Sequence, residues 1–162
     1  MLKLIIGLTL VFVIGFAVFA QMQDSQKIST RFGVLSVNDD KLLRFKEQPL
    51  RPPIEGNNSL DLGSITSMGA ADVVLVTDNG GTGCPAMFYL VTVTSAGAKA
   101  SRPFGSCSEF ANVRRRGNSI SVTMPGFLGP FEPRAAQRRA ARRRHVFIYR
   151  GGVVYENGKP VK

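Results

Sequence analysis

Apolar residues along this chain recur in short runs broken by Gly, Pro, Asn and Asp. Runs of that length, bounded by turn residues, predict strands rather than helices. The strongest is DVVLVTD, residues 72–78, in which Val73 to Thr77 are all apolar or β-branched before the turn sequence NGGTG. A run without alternation predicts burial on both faces, and hence a central strand. SISVTM, residues 119–124, instead alternates Ile120, Val122 and Met124 with Ser121 and Thr123, the pattern of a strand with one buried face.

The weaker runs fit the same scheme. RFGVLSV (31–37) and KLLRFK (41–46) flank Asn38-Asp39-Asp40 and predict a hairpin. EQPLRPPIEGNN carries three prolines and predicts an extended surface connector. SLDLGSI (59–65) reads as a short strand, while HVFIYR and VVYENGKPV flank Gly151-Gly152 as a closing hairpin. PGFLGPFEP, with three prolines and two glycines, excludes regular structure. Its Phe127, Leu128 and Phe131 are expected to fold back onto the core.

One segment breaks the pattern. PRAAQRRAARRRHVFIYR, residues 133–150, holds seven arginines and the only histidine. Pro133 suits a helix entrance. On a helical wheel Ala136, Gln137, Ala140 and Ala141 share one side, and Arg134, Arg138, Arg139, Arg142 and Arg143 the other. The expectation is a short surface helix with an outward arginine ridge. Arg114 to Arg116 form a second basic cluster, which the sequence does not place relative to the first. The fold predicted is all-β or β-rich, a single sandwich or partly open barrel of about seven to nine short strands with one Arg-rich helix near the C-terminus. An α+β arrangement is the alternative if that helix covers a sheet face.

The two cysteines, Cys84 and Cys107, bracket PAMFYLVTVTSAGAKASRPFGS, and their midpoint falls between Ser95 and Ala96. A turn there sets them at the open end of one hairpin, which predicts a disulfide. Closing a loop of about 24 residues in this way contributes about 3.5 kcal/mol in the chain-entropy description.

MLKLIIGLTLVFVIGFAVFA begins with Lys3, continues apolar from Leu4 to Ala20, and gives way to polar QMQDSQ. This is the layout of a secretory signal, with Val18 and Ala20 suited to cleavage before Gln21. An uncleaved membrane anchor is the alternative, since the apolar run is close to spanning length. The organisation expected is therefore residues 1–20 as signal peptide or anchor, 21–30 as polar linker and 31–162 as one exported β-rich domain, periplasmic or secreted. No cysteine lies near the cleavage point, which argues against a lipoprotein.

Loss of Lys3 leaves 20 basic against 11 acidic side chains, net +9. Outside the cytoplasm this argues against nucleic acid and for an acidic envelope protein, anionic lipid or lipopolysaccharide. One His, cysteines far apart and scattered acids supply no usual metal-ligand set, and no cofactor is implied. DNGGTGC lacks the G-K-[ST] ending of a phosphate loop and reads as a turn. A Cys-His hydrolase built on Cys84 and His145, with Asp72 or Asp78 orienting the base, is the enzymatic alternative. The function expected is that of an exported bacterial envelope protein: a non-enzymatic binding or accessory module, inhibitor or immunity type included, which uses Arg134, Arg138, Arg139, Arg142 and Arg143 on an anionic partner. A purely structural envelope protein, its arginines only solvated, is the third reading.

Overall fold

The structure, a computed structural model, describes residues 26–162. The apolar segment from Leu4 to Ala20, with its signal or anchor role, lies outside the described residues. Among the described residues no helix is long and apolar enough to cross a membrane.

The described residues form three antiparallel sheets and one short helix, without a closed barrel. The first sheet runs in order β1 (Lys27–Thr30), β2 (Gly33–Val37), β3 (Leu43–Phe45) and β4 (Gln48–Pro49). The central sheet holds β5 (Ser59–Met68), β6 (Ala71–Asn79), β7 (Ala86–Thr94) and β8 (Gly97–Ala100), with β9 (Phe104–Cys107) also on β7. The third sheet runs β10 (Asn112–Arg116), β11 (Ser119–Pro125), β12 (Arg144–Arg150), β13 (Val153–Glu156) and β14 (Lys159–Pro160). The helix α1 (Arg134–Arg142) connects β11 to β12.

Two cores lie on opposite faces of the central sheet, which makes the domain three layers deep. Leu35, Val37, Leu43 and Ile54 of the first layer meet Val74, Val76, Val91 and Val93. Val73, Phe88, Leu90 and Phe104 meet Ile120, Val122, Met124, Phe147 and Tyr149 of the third layer. Successive residues of β6 thus serve different cores, Val73 one and Val74 the other, because strand side chains alternate between faces. This is the two-sided burial that the unbroken apolar run predicts. Tyr149 is hydrogen-bonded to Thr92 across the second interface. A buried clamp ties the first layer to the second: Asp72, 1% exposed, accepts from Arg31 N and Nε and from Ser67 Oγ, each at 2.8 Å.

The cysteine hairpin forms as predicted. Thr94 pairs with Gly97 around Ser95-Ala96, and Cys84 and Cys107 are joined with their Cα atoms 4.6 Å apart. The register slips between Ala86 and Phe88, so Cys107 stands opposite Ala86 and the bridge reaches beyond the start of β7.

Four expectations need correction. Fourteen strands form among the described residues, more than predicted, because several are only two to four residues long and carry too few apolar positions to register. One of them, β1, occupies residues assigned to the polar linker and pairs with β2 through Thr30↔Gly33. The proline-rich connector is not wholly a surface feature, since Leu50 and Ile54 are buried in the first core. Phe127 is half-buried, but Leu128 and Phe131 are exposed, Phe131 by 92%. With both cores already filled by sheet residues, the loop before α1 has no apolar surface on which to close.

Candidate functional site

Charge is distributed unequally over the layers. Residues 26–107, the first two sheets, carry eight basic and seven acidic side chains, net +1; residues 108–162 carry twelve and three, net +9. Of the large hydrophobic residues that remain exposed, five (Phe110, Leu128, Phe131, Val146 and Val153) belong to the second segment and only Ile65 to the first. Both kinds of uncompensated surface therefore collect on one layer.

The strand register explains how they meet. In β11 Ile120, Val122 and Met124 point into the core, so Ser121 and Thr123 face outward. The turn at Gly117-Asn118 sets Arg114 opposite Ser121 and Arg116 opposite Ser119. On the other flank Val146 stands opposite Thr123 and Arg144 opposite Pro125. The outer face of the third sheet is consequently basic at both flanks and hydroxylic along the middle.

The helix completes one end of this face. Gly126 N donates to Arg143 O at 2.9 Å, and a Cβ at Gly126 would lie 2.6 Å from the Ala140 carbonyl oxygen, so glycine permits the close approach. The result is a groove of about 880 Å³ walled by Arg114, Arg116, Arg142 and Arg144, with Ser121 and Thr123 on its floor and Phe110, 77% exposed, among its lining residues. The ion pairs of the described residues are Arg31–Asp72, Arg44–Glu47 and His145–Glu156, none of which engages a groove arginine. Among the described residues the only side-chain hydrogen bond made by the four is Arg114 Nε to Asn112 Oδ1, at 3.2 Å.

The arginine ridge predicted for the helix is divided. Arg142 joins the groove; Arg139 and Arg143 line a second cleft of about 340 Å³ with Phe127, Ala136, Ala140 and His145; Arg134 and Arg138 are exposed and line neither. The alanine side faces the protein only in part, since Ala136 and Ala140 are half-buried and Ala141 is exposed. The segment Arg114 to Arg116, unplaced by the sequence, supplies half of the groove's arginines.

Sequence reasoning did not select Arg144, Ser121, Thr123, Phe110 or Gly126. Hairpin arithmetic around Gly117 contains the pairing of Arg114 with Ser121, but nothing local joins that hairpin to Arg142.

The residues of the enzymatic alternative are otherwise engaged. Cys84 Sγ is bonded to Cys107, which leaves no thiol for attack. His145 Nδ1 lies 2.9 Å from Glu156 Oε1, and its ring stacks on Phe147. Asp72 is held by Arg31 and Ser67, and Asp78 Oδ1 accepts from Asn57 N at 2.8 Å. The glycine loop after β6 closes on itself, with Gly80 N bonded to Pro85 O at 2.7 Å and Cys84 N to Gly81 O at 3.1 Å. Among the described residues no group of three or more His, Cys, Asp or Glu is placed to hold a metal ion.

No family model matches the chain, and neither a curated protein nor a solved structure shows significant similarity to it.

Proposed function

We propose that the protein is an exported, non-enzymatic binding module that engages an anionic envelope partner through the arginine groove of its third sheet. The observation that carries this reading is the convergence of Arg114 and Arg116 from β10, Arg142 from α1 and Arg144 from β12 on one groove, without acidic partners among the described residues. Guanidinium groups bind carboxylate and phosphate through paired donors, and the half-buried Thr123 adds a hydroxyl between them. An inhibitor or accessory protein with an acidic partner fits this surface, as does an anionic envelope component. The disulfide supports export, since such bonds persist in oxidising compartments.

The structural reading, in which arginines merely decorate a solvated face, predicts basic residues spread over all layers; a net of +9 on one layer and +1 on the other two weighs against it. The test is capture from envelope extract with the wild type, with Arg114→Gln/Arg142→Gln/Arg144→Gln, and with the control Arg134→Gln/Arg138→Gln. Material held by the wild type and the control but lost from the triple variant is the expected result. Equal capture by all three would remove the groove from the function.

A further inference from the structure

β10 is the terminal strand of the third sheet and pairs on one side only, with β11. Arg116 and Ser119 flank a two-residue turn, so they form a hydrogen-bonded pair, and Arg114↔Ser121 and Asn112↔Thr123 follow in the same phase. The N–H and C=O groups of Val113 and Arg115 therefore point away from the sheet, and no backbone hydrogen bond outside the strand ladders uses them among the described residues. This edge carries three consecutive arginines and borders the groove.

We propose that the free edge of β10 receives an extended segment of a partner protein as an added antiparallel strand, with acidic residues on one face and apolar residues on the other. The proposal rests on the anion-binding reading of the same face and names the partner's chemistry. Residues of the incoming strand on the outer side fall beside Arg114 and Arg116, which calls for carboxylates. Those on the inner side fall beside Val113, which packs half-buried against the core, and beside the exposed Arg115, whose aliphatic stem lies on the same side; both accept apolar side chains. A second copy of this chain is disfavoured at the edge, because its own arginines would stand opposite Arg114 to Arg116. Backbone pairing supplies affinity in such a complex, and the alternating side chains supply selection.

The probes are a peptide of four Glu-Val repeats, the same peptide N-methylated at every valine, and vesicles of phosphatidylglycerol, each titrated against the full chain. Valines of the peptide pair with Val113 and Arg115, so methylation removes the edge hydrogen bonds without altering charge. The expected result is that the parent peptide binds, that amide exchange at Val113 and Arg115 slows, and that methylation weakens binding about tenfold or more, the loss of two or more hydrogen bonds. Arg115→Pro, which removes one outward donor, is expected to weaken binding about fivefold, while Arg115→Gln keeps most of the affinity. Equal binding of the methylated peptide would overturn strand addition and leave the groove as a charge-binding surface. Vesicle binding lost in Arg114→Gln/Arg142→Gln/Arg144→Gln, with no peptide binding, would replace the protein partner by a bilayer. If neither peptide nor vesicle binds, the anion-binding reading falls as well.

Discussion

The first two layers and the third are built on the same strand chemistry and treat charge in opposite ways. In the first pair of layers acids and bases nearly balance, and several acids are bonded: Asp72 to Arg31 and Ser67, Asp78 to Asn57 N, and Asp61 to Gln26 and Asn79. In the third layer arginines outnumber acids, and among the described residues the four groove arginines make a single side-chain hydrogen bond, Arg114 to Asn112. Polar groups that hold a fold are satisfied internally, whereas groups kept for a partner are left open. A whole-chain charge of +10 conceals this division, because it averages a neutral scaffold with a strongly basic face.

If the first two layers are scaffold, damage there should cost stability and spare the groove. The largest effect is expected from Cys84→Ser/Cys107→Ser, which opens a loop of about 24 residues and should cost about 3.5 kcal/mol, read from chemical unfolding of the variant against the wild type. The Arg31–Asp72 clamp comes next. Burial pushes the Asp72 carboxyl up, but the hydrogen bonds from Arg31 N, Ser67 and the Arg31 side chain, with the guanidinium charge, outweigh it and hold the group below the usual aspartate value. A depressed folded value means that the clamp stabilises fully above the unfolded value of about 3.9 and that its contribution disappears as pH falls through the folded value. Asp72→Ala removes the hydrogen bonds from Arg31 and Ser67, both exposed residues that water reaches, and should cost about 2 kcal/mol at pH 7. The difference from wild type should shrink below about pH 4. A difference that persists unchanged at pH 2 would mean that the ionised clamp contributes nothing.

A smaller effect is expected where scaffold and groove join. Gly126→Ala forces Cβ against the Ala140 carbonyl, so either the helix or the end of β11 must move. About 1–2 kcal/mol of stability is expected to go, together with a measurable loss of groove binding, because Arg142 and Arg144 are positioned through this contact. Stability lost without any change in binding would show that the helix does not shape the groove.

Legibility from sequence follows the same division. The scaffold was readable because its determinants are local. An unbroken apolar run in β6 and a turn equidistant from Cys84 and Cys107 each specify their own burial or pairing. The short strands β4 and β14 have no counterpart in the sequence reading because two residues carry little pattern, although Asn157-Gly158 before β14 is the strongest of hairpin signals. The groove was half readable. Arg142 was selected as part of the helix ridge and Arg114 and Arg116 were noticed as a cluster, but their meeting depends on how α1 returns over β11, and that is decided by tertiary packing at Gly126. The exposure of Phe131 had no local signal either, since an apolar residue in a proline-rich loop reads as core until both cores are known to be full.

The smallest effect expected on stability comes from the groove itself, and its sign is informative. Four guanidiniums around one groove, with no ion-pair partner among the described residues, repel one another, an unfavourable interaction that the folded state carries and the extended chain largely escapes. Replacing Arg114, Arg142 and Arg144 with Gln should therefore raise Tm by about 1–2 °C at low salt. The increase should vanish near 1 M salt, where the screening length falls to about 3 Å. Arg134→Gln/Arg138→Gln, on the part of the helix that lines no groove, should show less of this. A decrease in Tm on neutralising the groove would mean that these arginines make stabilising contacts and belong to the scaffold. An increase that fades with salt, together with lost binding, would mark them as charges held at a cost to the fold and kept for a partner.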